Sequence, residues 1–264
     1  PVFVLPGALR ERGAAIAAEL HGSCAMGAGQ FCTKPGISVV EKSDEAEAFV
    51  EELRRLAQAA RPGVLLSPQA PKDIAATVAQ LREAGAELLA GGAVADEVPG
   101  FAFRPTLLWA SGKAFLANPE ALQSEAFGHV HLVVVAASCA EMVQVAEAME
   151  GNLTGTIYSH TDGSDDATYD TLAPVLRTRV GRLLNDKMPT GVAVSPAMNH
   201  GGPFPATGHP GFTAVGIPAS LVRFSALHSY DNVRPHRLPA ELQDRNPGGR
   251  LWRLVDGEWT TRDV

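Results

Sequence analysis

The chain has 264 residues, of which 45% are hydrophobic, 19% charged and 6% aromatic. That is enough apolar matter for one large core or two modest ones, and it excludes disordered, coiled-coil and small disulfide-stapled architectures. A net charge of −7 supplies no positive field to gather phosphate backbones or anionic lipids, so neither nucleic acid nor a membrane is an expected partner.

Taken in chain order, Val2 to Leu5 predicts a short buried strand ended by Pro6 and Gly7. The Ala-rich stretch that follows repeats apolar groups at Ile16, Leu20 and Cys24, four apart, which is one buried helical face. It ends at Gly27 and Gly29, and GQFCTKPG forms a loop before the apolar run ISVVEK. Ser43 to Ala60 and Pro71 to Gly85 predict amphipathic helices, Glu87 to Ala90 and Phe103 to Trp109 strands. Asn118-Pro119 suits a helix start. HVHLVVVAA predicts a strand, and Ser138 with Glu141 a capping box for the helix after it. Leu153 to Ser159 and Val180 to Asn185 predict strands, with a helix over Asp166 to Thr178 between them. Strands alternating with helices, several of them continuously apolar, predict an α/β fold with a mostly parallel sheet covered on both faces.

The alternation breaks between Pro189 and Pro218, where 12 of 30 residues are Gly or Pro, a length of loop that usually serves function. Beyond it, SLVRFSALHSYDNV predicts a strand or helix-to-strand segment that would pair with another subunit, followed by a polar tail and a last short segment, LWRLVDGEWTT.

Three cysteines, an odd and sparse set, argue against a disulfide framework and for a reducing, cytoplasmic setting. Cys24 belongs to the apolar stripe. Cys139 falls near a helix N-terminus, where the macrodipole favours a thiolate, yet no glycines open an approach to it. Cys32 lies between glycines and Pro35-Gly36, in a tight loop that leaves room for a carbonyl beside the sulfur, and it is the best nucleophile candidate. Gly27-Ala28-Gly29 is no dinucleotide fingerprint, because it follows a helix and its third glycine position is Cys32. His129 and His131 share a strand face, but nothing beside them in sequence completes a ligand set, so no metal is expected.

The segment GQFCTKPG resembles the nucleophile loop of the aldehyde dehydrogenase superfamily. Its Phe before the Cys and its Pro-Gly are similar to the branch acting on 2-oxoglutarate semialdehyde (2,5-dioxovalerate). FAFRPTLL, SEAFG, GRLLND, NHGGPFPAT and the tail RLPAELQDRNPGGRLWRLVDGEWT are similar to further segments of that branch, in the same order.

The resemblance implies that Cys32 attacks the aldehyde and that its backbone N–H forms half of an oxyanion hole. Glu125 would hold the ribose of NADP or NAD, and Phe127 would pack near the nicotinamide. Phe31, Thr33, Asn185, His200, Gly201 and the loop from Asn199 to Thr207 would shape the substrate pocket.

It also implies a catalytic domain over residues 1–215 and a C-terminal oligomerisation strand and tail over 216–264, hence a homo-oligomer. The cofactor-binding domain would precede Pro1, so this chain reads as the catalytic part of a larger enzyme and would not turn over alone. Two other readings stay open: a Cys-dependent esterase pairing Cys32 with a nearby imidazole such as His200, and a non-catalytic oligomerising domain.

Overall fold

Valine-rich strands and amphipathic helices assemble into a three-layer α/β unit. The computed structural model describes residues 1–191 and 195–264, and divides into units at Pro1–Leu221 and Val222–Val264.

In the first unit, β1 (Val2–Val4) leads into α1 (Pro6–Ala25), then a 3-10 turn (Met26–Gly29), β2 (Ile37–Glu41) and α2 (Asp44–Ala59). β3 (Gly63–Val64), α3 (Ala70–Glu83), β4 (Glu87–Ala90), β5 (Ala102–Phe103) and β6 (Thr106–Ser111) follow. Then come α4 (Gly112–Ala117), α5 (Pro119–Leu122), β7 (Val130–Ala136), α6 (Cys139–Glu147), β8 (Asn152–Tyr158), α7 (Asp166–Arg177) and β9 (Val180–Asn185).

Seven strands form one sheet in the order β4-β6-β7-β2-β1-β8-β9. Every pair is parallel except β4 with β6, at the edge. Alternate residues of the central strand face opposite layers: Val2 and Val4 pack with Ile16, Leu20, Phe49 and Leu53 of α1 and α2. Phe3 packs on the other side with Phe115, Met142, Val145, Leu172 and Leu176 of α4, α6 and α7. Both faces are therefore dry, which is why these strands read as continuous apolar runs.

Several expectations change in detail. Pro105, which has no N–H for a ladder, interrupts the expected strand over 103–109; β5 pairs with β3 and β6 joins the main sheet. Only half of the expected capping box forms: Ser138 Oγ accepts from Glu141 N at 3.2 Å, while the Glu141 carboxylate accepts from Ala137 N and not from Ser138 N. The stretch expected to be a strand after Pro218 contains a 3-10 turn (Ala219–Phe224) and irregular chain. In the second unit the last apolar segment forms an antiparallel hairpin, β10 (Arg253–Val255) with β11 (Glu258–Thr260). Of the Gly/Pro-rich loop, residues 192–194 lie outside the described residues.

Candidate active site

Cys32 is exposed in the loop between the 3-10 turn and β2, and it lines a cleft of about 530 Å³. The cleft opens at the amino ends of β2, β7 and β8, and its wall includes Thr33, Lys34, Glu125, Phe127, Asn152 and Thr154. The helix ends that reach it are carboxyl ends: α1 stops at Ala25 just before the nucleophile loop, and α6 at Glu147 just before Asn152. Such ends carry partial negative charge, and among the described residues no α-helix N-terminus reaches the cleft to cradle an anion.

Backbone and side-chain clamps hold the loop. Gln30 Nε2 donates to the carbonyls of Gly27 (3.0 Å) and Val64 (3.3 Å), and its Oε1 accepts from Leu66 N at 2.8 Å. Lys34 is half-buried; its Nζ donates to the Val130 carbonyl at 2.8 Å. Burial pushes that ammonium below the usual lysine range, partly offset by the Glu125 carboxylate. The Pro35 carbonyl lies 3.1 Å from His131 Nδ1 and 3.3 Å from the Cys24 thiol, which donates to it. Thr190 Oγ1 donates to the Thr33 carbonyl at 3.2 Å.

The three thiols differ in surroundings. Burial drives Cys24 up to about 12, and it serves packing, as its place on the apolar stripe predicts. Cys139 does begin α6, but burial comes first in raising it and the Glu41 carboxylate, which accepts its S–H at 2.7 Å, adds to that; the helix dipole loses to these two. Cys32 alone is exposed, and its Sγ lies 3.5 Å from Nε2 of His200.

The structure brings Cys32, Thr33, Glu125 and Phe127 onto one cleft wall, with His200 against the sulfur and Pro205 and Ala206 of the Gly/Pro-rich loop closing one side. Phe31, Asn185 and Gly201 are not on that wall. The Phe31 ring lies against Gly27. Asn185, at the far end of β9, accepts from the Tyr169 hydroxyl at 3.0 Å, because only the amino ends of the strands face the cleft. Gly201 is a spacer: its carbonyl packs on Gly181 so closely that a Cβ there would fall 1.5 Å from it. His129 and His131 do not share a site, as His129 faces His21 with ring centroids 5.1 Å apart while His131 Nε2 pairs with Ser38 Oγ at 2.8 Å.

Sequence reasoning missed Lys34, Gln30 and Arg182. The first two stand inside the quoted motif, beside the residues that drew attention. Arg182 stands in GRLLND, where nothing in the local pattern marks it as a binding group.

A family profile described as "Aldehyde dehydrogenase family" matches residues 1–193. Alpha-ketoglutaric semialdehyde dehydrogenase of Acinetobacter baylyi is 36% identical over 261 residues, covering 98% of this chain and 48% of that protein. Alpha-ketoglutaric semialdehyde dehydrogenase 2 of Azospirillum brasilense is 36% identical over 271 residues, with the same two coverages of 98% and 48%. The chain thus spans about half the length of the curated relatives it matches. Among solved structures, gamma-glutamyl-gamma-aminobutyraldehyde dehydrogenase from Burkholderia cenocepacia superposes with a TM-score of 0.62 at 22% identity, over 76% of this chain and 40% of that one. Succinic semialdehyde dehydrogenase from Streptococcus pyogenes, in complex with NADP+, gives 0.60 at 24% identity over 76% and 43%. Those structures share the α/β fold, and the profile covers most of the chain and the relatives nearly all of it: the chain belongs to the aldehyde dehydrogenase family.

Proposed function

We propose that this chain is the nucleophile-bearing part of an NAD- or NADP-dependent dehydrogenase that oxidises a small semialdehyde, of the 2-oxoglutarate semialdehyde type, to the acid. The observation that carries the reading is the single exposed thiol, Cys32, on one cleft wall with Glu125 and Phe127. The fit to a cofactor is at its nicotinamide end: Glu125 offers carboxylate oxygens to ribose hydroxyls, and Phe127, 42% exposed, offers a ring face to the nicotinamide. The names of the relatives point to the same substrate class.

In this reading the Cys32 thiol adds across the aldehyde carbonyl, Sγ bonding to the carbon while the thiol proton passes through water to the oxygen. The Cys32 backbone N–H, which donates to no protein acceptor among the described residues, faces the developing alkoxide. One such donor is worth on the order of 3 kcal/mol in the transition state. A bound nicotinamide dinucleotide would supply two-electron oxidation here by accepting a hydride from the thiohemiacetal carbon as the hydroxyl proton leaves to water, so that a thioester would remain on Cys32. Water then cleaves the C–S bond, releasing the acid and returning the thiol. Residues 216–264 contribute an oligomerisation surface, a reading supported by the exposed Phe224, Leu227, Trp252 and Trp259.

Carbon-13 NMR with succinic semialdehyde labelled at the aldehyde carbon tests the first step. The chain is expected to move part of that signal into the region of a tetrahedral thiohemiacetal carbon, and Cys32→Ser to abolish the shift. No adduct, or an adduct that survives the substitution, contradicts the reading.

The Cys32–His200 approach also favours a second activity, ester hydrolysis by the thiol and imidazole acting together. Hydrolysis of p-nitrophenyl acetate that falls at least about tenfold in His200→Ala would support it; the dehydrogenase chemistry alone predicts a much smaller change.

A further inference from the structure

Two cationic side chains stand near the nucleophile. Lys34 is committed, since its ammonium is bonded to the Val130 carbonyl and balanced by Glu125. Arg182 is not. It is the third residue of β9 and pairs in parallel register with Thr154 of β8, so the two side chains leave the sheet on the same face, and Thr154 is on the cleft wall. The backbone of Gly201, next to the His200 that meets the Cys32 sulfur, packs on Gly181, the neighbour of Arg182; burial pushes the Arg182 guanidinium down from its ordinary range, and a negative charge on the Cys32 sulfur would oppose that. Its Nε and Nη2 are out of contact with solvent and donate to nothing among the described residues.

Those two nitrogens are the edge that presents parallel N–H groups to a carboxylate. Arg54 and Arg55 use the same edge on Glu51 and Glu52, at 2.7 and 2.8 Å. In Arg182 the fork is empty. Buried donors are almost always paired, so an orphaned fork beside a nucleophile is a binding group whose ligand is not part of the chain. Among the described residues no α-helix N-terminus serves this end of the sheet, and the fork has the shape to hold an anion. The side chain as a whole is only half-buried. Gly201 and Gly202, packed on Gly181 and Asn152, roof this part of the sheet, and the roof must give for a ligand to seat.

We propose that Arg182 grips the carboxylate of the substrate side-on, so that the Cys32 site selects aldehydes carrying a carboxylate. The proposal rests on the proposed function and adds the group that confers selectivity.

Anionic and neutral alkylating agents test it without cofactor. Both form a C–S bond at Cys32 as iodide leaves. In the 264-residue chain, the ratio of the iodoacetate rate to the iodoacetamide rate at Cys32 is expected to exceed that of free glutathione by about tenfold, a preference of roughly 1.4 kcal/mol. It is expected to fall to the glutathione value in Arg182→Met and to recover in part in Arg182→Lys. A ratio equal to glutathione's in the unsubstituted chain, or an excess that persists in Arg182→Met, overturns the proposal. Should the variants fail to fold, glutarate is expected to slow iodoacetamide labelling of the unsubstituted chain saturably while glutaramide does not; equal behaviour of the two overturns it. If iodoacetamide does not label Cys32 at all, the nucleophile assignment falls and this proposal with it.

Discussion

The nucleophile loop owes its shape to a few atoms that touch no substrate. Gly29 has φ of +77°, and a Cβ on it would lie 2.2 Å from the Gly128 carbonyl, so the loop before Cys32 and the turn before β7 approach closely only because this residue lacks a side chain. Gly29→Ala combines a left-handed backbone with a backbone clash. It is expected to cost at least about 2 kcal/mol of stability. Because Gly128 adjoins Phe127, it should also slow alkylation of Cys32. A melting temperature and labelling rate equal to those of the parent would show that the close approach does not position the loop. Gln30 has a comparable role through three hydrogen bonds to residues 27, 64 and 66. A sequence reader sees the Gln beside the Cys but not the strand it ties down, since β3 has two residues and no periodicity.

Helix α1 shows how far an element's supports lie from its own sequence. Leu5 precedes it and offers no capping side chain. The first turn is satisfied by Asp165, whose carboxylate accepts from Gly7 N at 2.9 Å, Ala8 N at 3.0 Å and His160 N at 2.8 Å. Asp165→Asn replaces an accepting oxygen with a donor facing backbone N–H groups, and an expected loss of about 2 kcal/mol follows from the usual worth of charge-assisted hydrogen bonds. Denaturant melts that coincide with the parent's would contradict this capping role. Periodicity and apolar runs sufficed to read α2, α3 and β7 because each buries a regular stripe or run. They failed where pairing is decided at long range: β5 leaves the expected strand for β3, α4 is capped by Ser111 in a stretch with no helical stripe, and the segment after Pro218 pairs with no strand among the described residues.

At the scale of the larger unit, stability depends on keeping two imidazoles neutral. Burial is the first cause that pushes both His129 and His131 down to about 3, and Lys34 adds repulsion to each. Unfolded, both take up a proton near the ordinary histidine value of about 6.5. The unfolded state therefore binds more protons between about pH 6.5 and 3, and stability is lost as pH falls through that window. The slope approaches about 1.4 kcal/mol per pH unit for each group, and His131→Gln should remove about one proton's share while costing the Ser38 hydrogen bond. A stability curve flat from pH 7 to 4 would contradict the burial of these side chains. The site followed a similar pattern to the fold. Cys32, Glu125 and Phe127 were readable because the motifs that carry them are local. Arg182 was not, because its meaning comes from the β8–β9 register and from the absence of a partner.

Everything proposed for this chain depends on one thiol being set apart from the other two. Timed iodoacetamide labelling near pH 7.5, with each cysteine quantified by peptide mass spectrometry, measures that separation. Cys32 is expected to react at least about tenfold faster than Cys139 and faster still than Cys24, whose burial holds it as the thiol. Equal rates at Cys32 and Cys139, or earliest labelling at Cys139, would contradict the assignment of Cys32 as the nucleophile.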